Sequence, residues 1–305
     1  MKKSNTPYAV HSVSQLHSML GLPKPEHPLI SVIHFETIKY LPAGIPGSVT
    51  LYFYSIWLKN NYNGKMKYGQ NEYDFDEGVM SFFSPGQVIT TVFQEEFTHT
   101  GYWLIIHPDF LWNYPLAKTI KGYGYFSYAV HEALHVSEKE EAMMMDILVG
   151  IEDEYRSAID SFSQNVIISR IELLLNYADR FYNRQFITRK ILNHNILERL
   201  EEILNTYFNG DSIQKLGLPT VQYLSAQLNV SANYLSDLLR KHTGQSTQQH
   251  IHNKVIEKAK EKLSTTSLSV NEIAYQLGFE HSQSFSKLFK GKTNVSPLQF
   301  RQSFN

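Results

Sequence analysis

Side chains suited to recognition chemistry concentrate in a short stretch near the end of the chain. Small or hydrogen-bonding side chains suit the reading of base edges in a DNA groove, because they donate or accept in defined directions. Around an apolar stripe of Phe285, Leu288 and Phe289, the outward positions are His281, Ser282, Gln283, Ser286 and Lys287. The alternative is a solvated helix face, with Ser282 serving only to cap the helix.

The residues around this stretch predict two short helices joined by a tight turn. Ser269 and Glu272 have capping-box spacing, so Ser269 is expected to begin the first helix. Gly278 is expected to end it, because glycine tolerates the left-handed backbone. A second helix is predicted from near Ser282. Two short helices with a glycine-containing turn form the helix-turn-helix motif, whose second helix enters the major groove.

An earlier segment repeats this plan. Leu224 and Leu228 lie on one apolar stripe, and Ser231 can cap the helix that follows. The outward side chains of that helix predicted to read bases are Asn233, Ser236 and Asp237. Asp237 can accept from a cytosine amino group, but pairing with a basic residue three or four positions later is the favoured interpretation.

The residues between the two motifs predict an amphipathic helix. Ile251, Val255, Ala259 and Leu263 recur every four residues. Such a helix would hold two reading helices about one duplex turn apart, roughly 34 Å. Residues 218–305 contain ten Lys or Arg and five Asp or Glu, a net charge of +5, which leaves −6 for the rest. This basic segment favours a nucleic-acid partner. The predicted phosphate contacts are Arg240, Lys241, Lys290, Lys292 and Arg301.

The segment resembles the DNA-binding domain of AraC/XylS-type transcription regulators. The resemblance rests on Ile-Ala-Tyr-Gln-Leu-Gly-Phe at 273–279, Phe-Ser-Lys-Leu-Phe-Lys at 285–290 and Val-Ser-Pro-Leu-Gln-Phe-Arg at 295–301. It implies a seven-helix domain with recognition helices in adjacent major grooves. The family often has arginine where Lys287 and Asp237 stand and glycine where Asn294 stands. Lys287 can still donate to guanine, but without the bidentate geometry of arginine.

Composition sets limits on the rest of the chain. A length of 305 residues suggests two domains, and 42% hydrophobic with 13% aromatic residues can fill substantial cores. The absence of cysteine excludes disulfides, thiolate metal sites and a cysteine nucleophile. No apolar run resembles a secretory signal or a membrane span, so a cytoplasmic protein is expected.

The first half of the chain predicts a small antiparallel barrel or sandwich. Strand patterns occur at 29–35, 49–58, 79–83, 88–93 and 102–106, separated by proline- and glycine-containing turns. Such a region before this DNA-binding domain resembles the cupin-type sensor of AraC-type regulators. Metal-binding cupins carry a His-x-His motif, which does not occur before residue 136. The residues predicted to line a ligand-binding mouth are Tyr52, Tyr54, Trp57, Phe83 and His107, with a purely structural core as the alternative.

Two pairs of closely spaced histidines could suggest metal binding. Residues 131–135 read His-Glu-Ala-Leu-His, which matches a zinc-protease motif that requires a continuous helix. A capping box at Ser137 and Glu140 instead predicts that a helix begins after this string. His250 and His252 lie two residues apart on a predicted helix, so they point in different directions and cannot share a metal ion.

The middle of the chain predicts long helices at 137–158 and 164–183, with a third at 196–208. The second helix carries a broad apolar face formed by Ile167, Ile171, Leu174, Leu175 and Ala178. AraC-type regulators commonly dimerise through such helices, so this face is predicted to form a homodimer. An intrachain bundle is the alternative.

The sequence therefore predicts an α+β protein of two domains. A cupin-like sensor barrel is expected at 1–136, a helical dimerisation segment at 137–208, a linker at 209–217 and an all-α double helix-turn-helix domain at 218–305. The expected function is sequence-specific transcription regulation. The expected partners are double-stranded DNA, a small-molecule effector, a second subunit and RNA polymerase, with no cofactor, metal ion, membrane or catalytic residue. Two alternatives remain: a regulator without a ligand, and a metal-dependent cupin or zinc enzyme fused to a DNA reader.

Overall fold

The chain forms two compact units, residues 1–185 and 186–305. The computed structural model describes residues 7–38, 48–60, 66–68, 71–73, 78–90, 100–129, 132–157, 160–188, 190–210 and 212–303. In the described residues, the first unit combines strands with helices, and the second is helical. The expected α+β architecture with a helical C-terminal domain is confirmed.

The strands of the first unit form three sheets. The strands are β1 (Tyr8–Val10), β2 (Ile30–His34), β3 (Ser48–Leu51), β4 (Tyr54–Asn60), β5 (Met66–Tyr68), β6 (Asn71–Tyr73), β7 (Gly78–Phe83), β8 (Gln87–Thr90), β9 (Thr100–Ile106) and β10 (Leu134–Val136). The largest sheet is antiparallel, in the order β10-β7-β4-β9-β2, and the second has the order β1-β3-β8. β5 and β6 form a hairpin.

The five-stranded sheet is buried on both faces. On one face, Ile33, Phe83 and Trp103 join a core formed with the three-stranded sheet and with α1 (Val13–Met19). On the other, α3 (Glu138–Arg156) packs against the strands, and the Tyr155 hydroxyl accepts from the Val32 amide at 3.0 Å. The unit is thus layered as sheet, sheet and helix.

The expected barrel is wrong in one respect. Among the described strands, the three- and five-stranded sheets share no hydrogen-bonded pair, so they do not close into a barrel. The single strand predicted at 49–58 is divided at Tyr52 and Phe53, and its two parts enter different sheets. One continuous strand would have placed these residues in a single sheet. The break at Tyr52 and Phe53 instead distributes them over two sheets, as in a sandwich.

The predicted dimerisation face belongs to the core of the first unit. Ile167, Ile171, Leu174, Leu175 and Ala178 lie on α4 (Ser163–Thr188), and each is at most 2% exposed within the single chain. Residues 108–129 and 132–135 contact α4. The Tyr125 hydroxyl donates to the Leu175 carbonyl at 3.0 Å, and the Tyr182 hydroxyl on α4 donates to the Glu132 carbonyl at 3.3 Å. Assigning these five residues to a subunit interface was therefore wrong, because their own chain already covers them.

The helices of the second unit follow without long gaps. They are α5 (Lys190–Asn209), α6 (Ser212–Leu216), α7 (Val221–Leu228), α8 (Ala232–Thr243), α9 (Thr247–Thr265), α10 (Val270–Gln276), α11 (Ser282–Thr293) and α12 (Pro297–Gln302), while α2 (Leu116–Thr119) belongs to the first unit. The predicted linker at 209–217 contains α6, whose Ile213 is buried. The Tyr207 hydroxyl on α5 donates to the Gly217 carbonyl at 3.0 Å. The structure therefore divides the predicted dimerisation segment, placing α3 and most of α4 in one unit and α5 in the other.

Candidate nucleic-acid interface

Local hydrogen bonds define the α10–α11 motif. The Ser269 hydroxyl accepts from the Glu272 amide at 3.2 Å, and the Glu272 carboxylate accepts from the Ser269 amide at 2.7 Å, which confirms the predicted capping box. Gly278 follows α10 with a φ of +79°. A Cβ at this position would lie 2.8 Å from the carbonyl carbon of Gly217, so both the conformation and the close approach require glycine.

The α7–α8 motif uses the same devices. The Thr220 hydroxyl caps α7 by accepting from the Tyr223 amide at 3.1 Å. Asn229 ends that helix in the left-handed conformation, with a φ of +62°. The Ser231 hydroxyl then caps α8 by accepting from an amide of its first turn. Each motif therefore has a left-handed residue between its two helices.

The second helices of the two motifs, α8 and α11, end in the same way. α8 and α11 each contain 12 residues, and they end at Gly244 and Asn294, both left-handed. Each is followed by a capping box, at Ser246 and at Ser296. Asn294 therefore performs the conformational role of glycine, as predicted from its tolerance of the left-handed region. The two helices begin and end fifty positions apart in the chain. Side chains fifty positions apart therefore occupy equivalent places on the two helices.

α9 lies between the motifs and forms the core of the second unit. Ile251, Val255, Ala259 and Leu263 are each at most 2% exposed, so the predicted apolar stripe is confirmed. α9 has 19 residues, which at 1.5 Å per residue is a length of about 28 Å. Both α8 and α11 pack against it, so α9 connects the two motifs within the unit.

Four of the predicted base readers are exposed at the surface. Asn233 lies in the first turn of α8, Gln283 and Lys287 lie one turn apart on α11, and His281 stands just before α11. Ser282 and Ser286 are half-buried. Ser284, which was not among the predicted base readers, is also exposed in the first turn of α11.

Two predicted base readers on α8 are engaged within the protein. The Ser236 hydroxyl lies 3.1 Å from the hydroxyl of Thr247, which is completely buried on α9. Ser236 therefore ties α8 to α9, which differs from its prediction as an outward base reader. Asp237 Oδ1 lies 3.2 Å from Arg240 Nη1. This ion pair confirms the favoured interpretation of Asp237.

The predicted phosphate contacts also separate into two groups. Arg240, Lys241 and Lys290 are exposed, and Lys292 is exposed with its Nζ donating to Asn253 Oδ1 at 3.2 Å. Arg301 has a structural role instead. It donates through Nη2 to the Leu268 carbonyl at 2.6 Å and through Nε to the Leu263 carbonyl at 3.3 Å. These carbonyls lie at and just after the end of α9, where helix carbonyls lack intrahelical donors.

The five residues predicted to line a ligand mouth do not share one surface. Trp57 and Phe83 lie on the inner face of the five-stranded sheet, with ring centroids 4.7 Å apart. Tyr54 lies on the opposite face, where its ring meets Phe126 edge-on at 5.2 Å. Tyr52 is 41% exposed and stacks on His11. The structure therefore places the residues of the predicted ligand mouth on different surfaces.

The last of the five, His107, caps a 3₁₀ helix. It precedes the helix Pro108–Leu111, and its Nδ1 accepts from the Asp109 amide at 3.3 Å. The same nitrogen lies 3.6 Å from Asp109 Oδ2. The position of His107 is therefore explained by this local structure.

The described residues of the two histidine pairs do not form the arrangement that the proposed metal sites need. His135 lies on β10, and α3 begins only at Glu138, so His135 is not part of a continuous helix. His131 lies outside the described residues. His250 Nε2 lies 2.9 Å from the Thr243 hydroxyl, whereas His252 Nε2 lies 2.9 Å from the Gln248 amide nitrogen. Across the described part of the chain, no group of three His, Cys, Asp or Glu side chains is placed to hold a metal ion.

No helix in the described ranges is both long and apolar enough to cross a bilayer. The longest, α4, has 26 residues, but charged and amide side chains interrupt its sequence.

The family-model comparison finds its match within the second unit. A family model described as a helix-turn-helix domain matches residues 224–303. The chain is 38% identical over 84 residues to the raffinose operon transcriptional regulatory protein RafR of Pediococcus pentosaceus, which is 28% of this chain and 30% of the relative. It is 30% identical over 149 residues to the uncharacterized HTH-type transcriptional regulator YfiF of Bacillus subtilis strain 168, which is 49% of this chain and 44% of the relative. The chain thus matches less than half the length of either relative.

One solved structure matches about a third of the chain. The chain is similar to the C-terminal domain of the two-component response regulator yesN from Fusobacterium nucleatum, with 34% identity and a TM-score of 0.31. The match covers 35% of this chain and 98% of that chain.

Proposed function

We propose that the chain is a transcription regulator that binds double-stranded DNA at specific sequences through an AraC-type domain, and the match of residues 224–303 to a helix-turn-helix family model supports this. The carrying observation is the repeated geometry of α8 and α11. Both are 12-residue helices with matching ends, and both pack on α9. Recognition helices held about one duplex turn apart can enter successive major grooves on one side of DNA.

The two reading helices contribute different charges to this interface. On α11 the exposed side chains include Gln283, Lys287 and Lys290, which together carry two positive charges. The equivalent positions on α8 hold Asn233, Asp237 and Arg240, where the acid and the base form an ion pair. We therefore assign the larger share of electrostatic attraction to α11. On this proposal Gln283 and Lys287 read bases, and Lys290, Lys292 and Lys241 contact phosphates.

The first unit is proposed to respond to a small molecule. It has its own core and sheets, separate from the helix-turn-helix unit. A regulator whose first unit is structural or binds another protein is the second candidate. Thermal shifts of the whole chain with small molecules separate the two, because a ligand that binds the folded state raises its melting temperature.

A homodimer and a contact with RNA polymerase complete the proposal. A dimer cannot use the buried α4 residues discussed above. Val166 and Leu173 support an alternative α4 surface, because they are 36% and 45% exposed and lie seven residues apart on one helical face. Replacing Leu173 by Glu is expected to make the protein monomeric in light scattering, while replacing Lys24 by Glu, a similarly exposed change, is not.

Base reading is tested by replacing Gln283 or Lys287 with Ala. Each change is expected to weaken binding to the cognate site by about 1–3 kcal/mol and to relax preference at one base pair. The Lys290→Ala variant is the matched control, because a phosphate contact contributes equally to cognate and scrambled duplexes. Equal losses on both duplexes for Lys287→Ala would reassign Lys287 to the phosphates. Unchanged binding in all three variants would refute the proposed interface.

A further inference from the structure

A cleft in the first unit has no role in the interface described above. It encloses about 860 Å³, which lies within the usual range of small-molecule sites. The 3₁₀ helix Pro108–Leu111, α2 and the residues around them form its walls, and Tyr54 at the start of β4 contributes from the sheet. We propose that this cleft binds a small ring compound that carries an anionic group.

Tyr54 provides a hydrogen-bonding group that the fold does not use. The residue is only 6% exposed, yet it lines the cleft. Its hydroxyl forms no hydrogen bond with any residue that the structure describes. Burial raises the pKa of Tyr54, so the hydroxyl keeps its proton and can donate. The Tyr54 oxygen is not among the fully buried polar atoms that lack a partner in the described residues, so it is accessible and can donate to an acceptor on a ligand in the cleft.

Aromatic side chains give the cleft a surface for a ring. Trp112 lines the cleft and is 68% exposed, which is unusual for so large an apolar side chain. Tyr114 is positioned by its hydroxyl, which donates to Asn165 Oδ1 at 2.6 Å. Asn113, between them, adopts a φ of +71°. The indole of Trp112 is not part of a hydrophobic core. It can therefore pack on a ring in the cleft without loss of core contacts.

The charges of the cleft favour an anion. Lys118 and Lys121 line it, are exposed, and have no ion-pair partner among the residues described. The carboxylate of the cleft, Asp109, lies 3.6 Å from His107 Nδ1. Two lysines against one carboxylate leave a positive balance. A phosphorylated sugar and an aromatic carboxylate both combine a ring with such an anion, so the experiment must distinguish them.

The binding itself is independent of DNA, whereas a regulatory role for the cleft rests on the proposed function. Binding is measured on the full chain by tryptophan fluorescence and calorimetry, with glucose-6-phosphate, benzoate and inorganic phosphate as probes. The other two tryptophans, Trp57 and Trp103, both donate to Ser55 in the core. A fluorescence change that disappears in Trp112→Phe therefore reports on the cleft. One ring anion is expected to bind more tightly than phosphate, and its identity distinguishes sugar phosphate from aromatic carboxylate.

Variants then test each part of the site. Replacing Lys118 and Lys121 together by Ala is expected to weaken binding about tenfold or more, and Lys24→Ala, at an exposed lysine that does not line the cleft, is the control. Tyr54→Phe is expected to weaken binding by about two- to tenfold. The same change should leave the melting temperature of the unliganded protein unchanged, because the removed hydroxyl has no partner among the described residues.

The proposal is overturned if neither ring anion binds at millimolar concentration, or if binding is unchanged in both the double lysine variant and Tyr54→Phe. DNA affinity measured in the same preparations separates the two proposals. Ligand binding that leaves DNA affinity unchanged supports the cleft as a site and refutes its regulatory role. Normal ligand binding in a protein that does not bind DNA refutes only the proposed function.

Discussion

Replacing Arg301 with Ala tests whether this residue holds the fold together or contacts DNA. Its guanidinium donates to two carbonyls, at 2.6 Å to Leu268 and at 3.3 Å to Leu263. Hydrogen bonds from a charged donor contribute about 1.5–3 kcal/mol each to stability, and the longer of these two contributes less. We therefore expect a loss of about 2 kcal/mol in the free energy of unfolding. For a unit of this size that corresponds to a fall in melting temperature of roughly 8 °C.

Thermal unfolding followed by circular dichroism measures the effect, and DNA binding across a salt series provides the second readout. Lys290→Ala is the matched control because Lys290 is an exposed cation of the same unit. We expect Lys290→Ala to keep the melting temperature and to reduce the slope of log affinity against log salt by about 0.9. Arg301→Ala should show the opposite pattern. A stable Arg301→Ala protein with a reduced salt slope would refute the structural role and restore the phosphate contact.

Three further predictions concern the charge, backbone and histidines of the protein. Asp237→Asn releases Arg240 from its ion pair, so DNA affinity should rise and the salt slope steepen by up to about 0.9 in binding assays; a loss confined to the cognate site would show that Asp237 reads a base. Gly278→Ala should lower the unfolding free energy by more than Gly244→Ala, measured by urea denaturation. Both glycines have positive φ, which costs alanine about 1–2 kcal/mol, but only at 278 would the Cβ meet backbone; equal losses would contradict the close approach. Burial lowers the pKa of His17 below its ordinary 6.5, so below that pH the unfolded chain binds more protons. Stability should then fall with decreasing pH by up to about 1.4 kcal/mol per pH unit, and a slope identical in His17→Gln would exclude this histidine.

Local signals in the sequence were sufficient for the helix-turn-helix motifs. The capping boxes at Ser137 and Ser269 and the cap at Ser231 were predicted, because each depends on residues within four positions of one another. The apolar stripe of α9 was equally predictable from its four-residue recurrence. The strand predicted at 29–35 appears as Ile30–His34 for the same reason.

Long-range partners account for most of the differences. The apolar face of α4 showed that something must cover it, but the periodicity of one helix does not show whether the cover is its own chain or another. Arg301 was predicted to contact phosphate because it is a cation in a basic segment. Only the folded structure brings the carbonyls at the end of α9 to its guanidinium. α6 was not predicted because it lies among turn-forming residues. Its burial depends on contacts with α5 and α10, which the local sequence does not show.

The ligand residues illustrate the same limit within a sheet. Tyr54 and Trp57 are three positions apart on β4, so the alternation of a strand places them on opposite faces. Their shared aromatic character suggested one site, although this spacing excludes it. The cleft that does contain Tyr54 is built from residues 108–121, whose helices are only three or four residues long and too short to show a periodic pattern.

The central claim is that α8 and α11 read DNA at specific sequences, and one measurement tests it most directly. Purified protein is titrated against the DNA upstream of its own gene and against a scrambled duplex, across a salt series, in parallel with Lys287→Ala. We predict a specific complex whose affinity falls steeply with salt, and a loss of specificity in the variant. Equal, weak binding of the unaltered protein to both duplexes, with and without added effector candidates, would contradict the account.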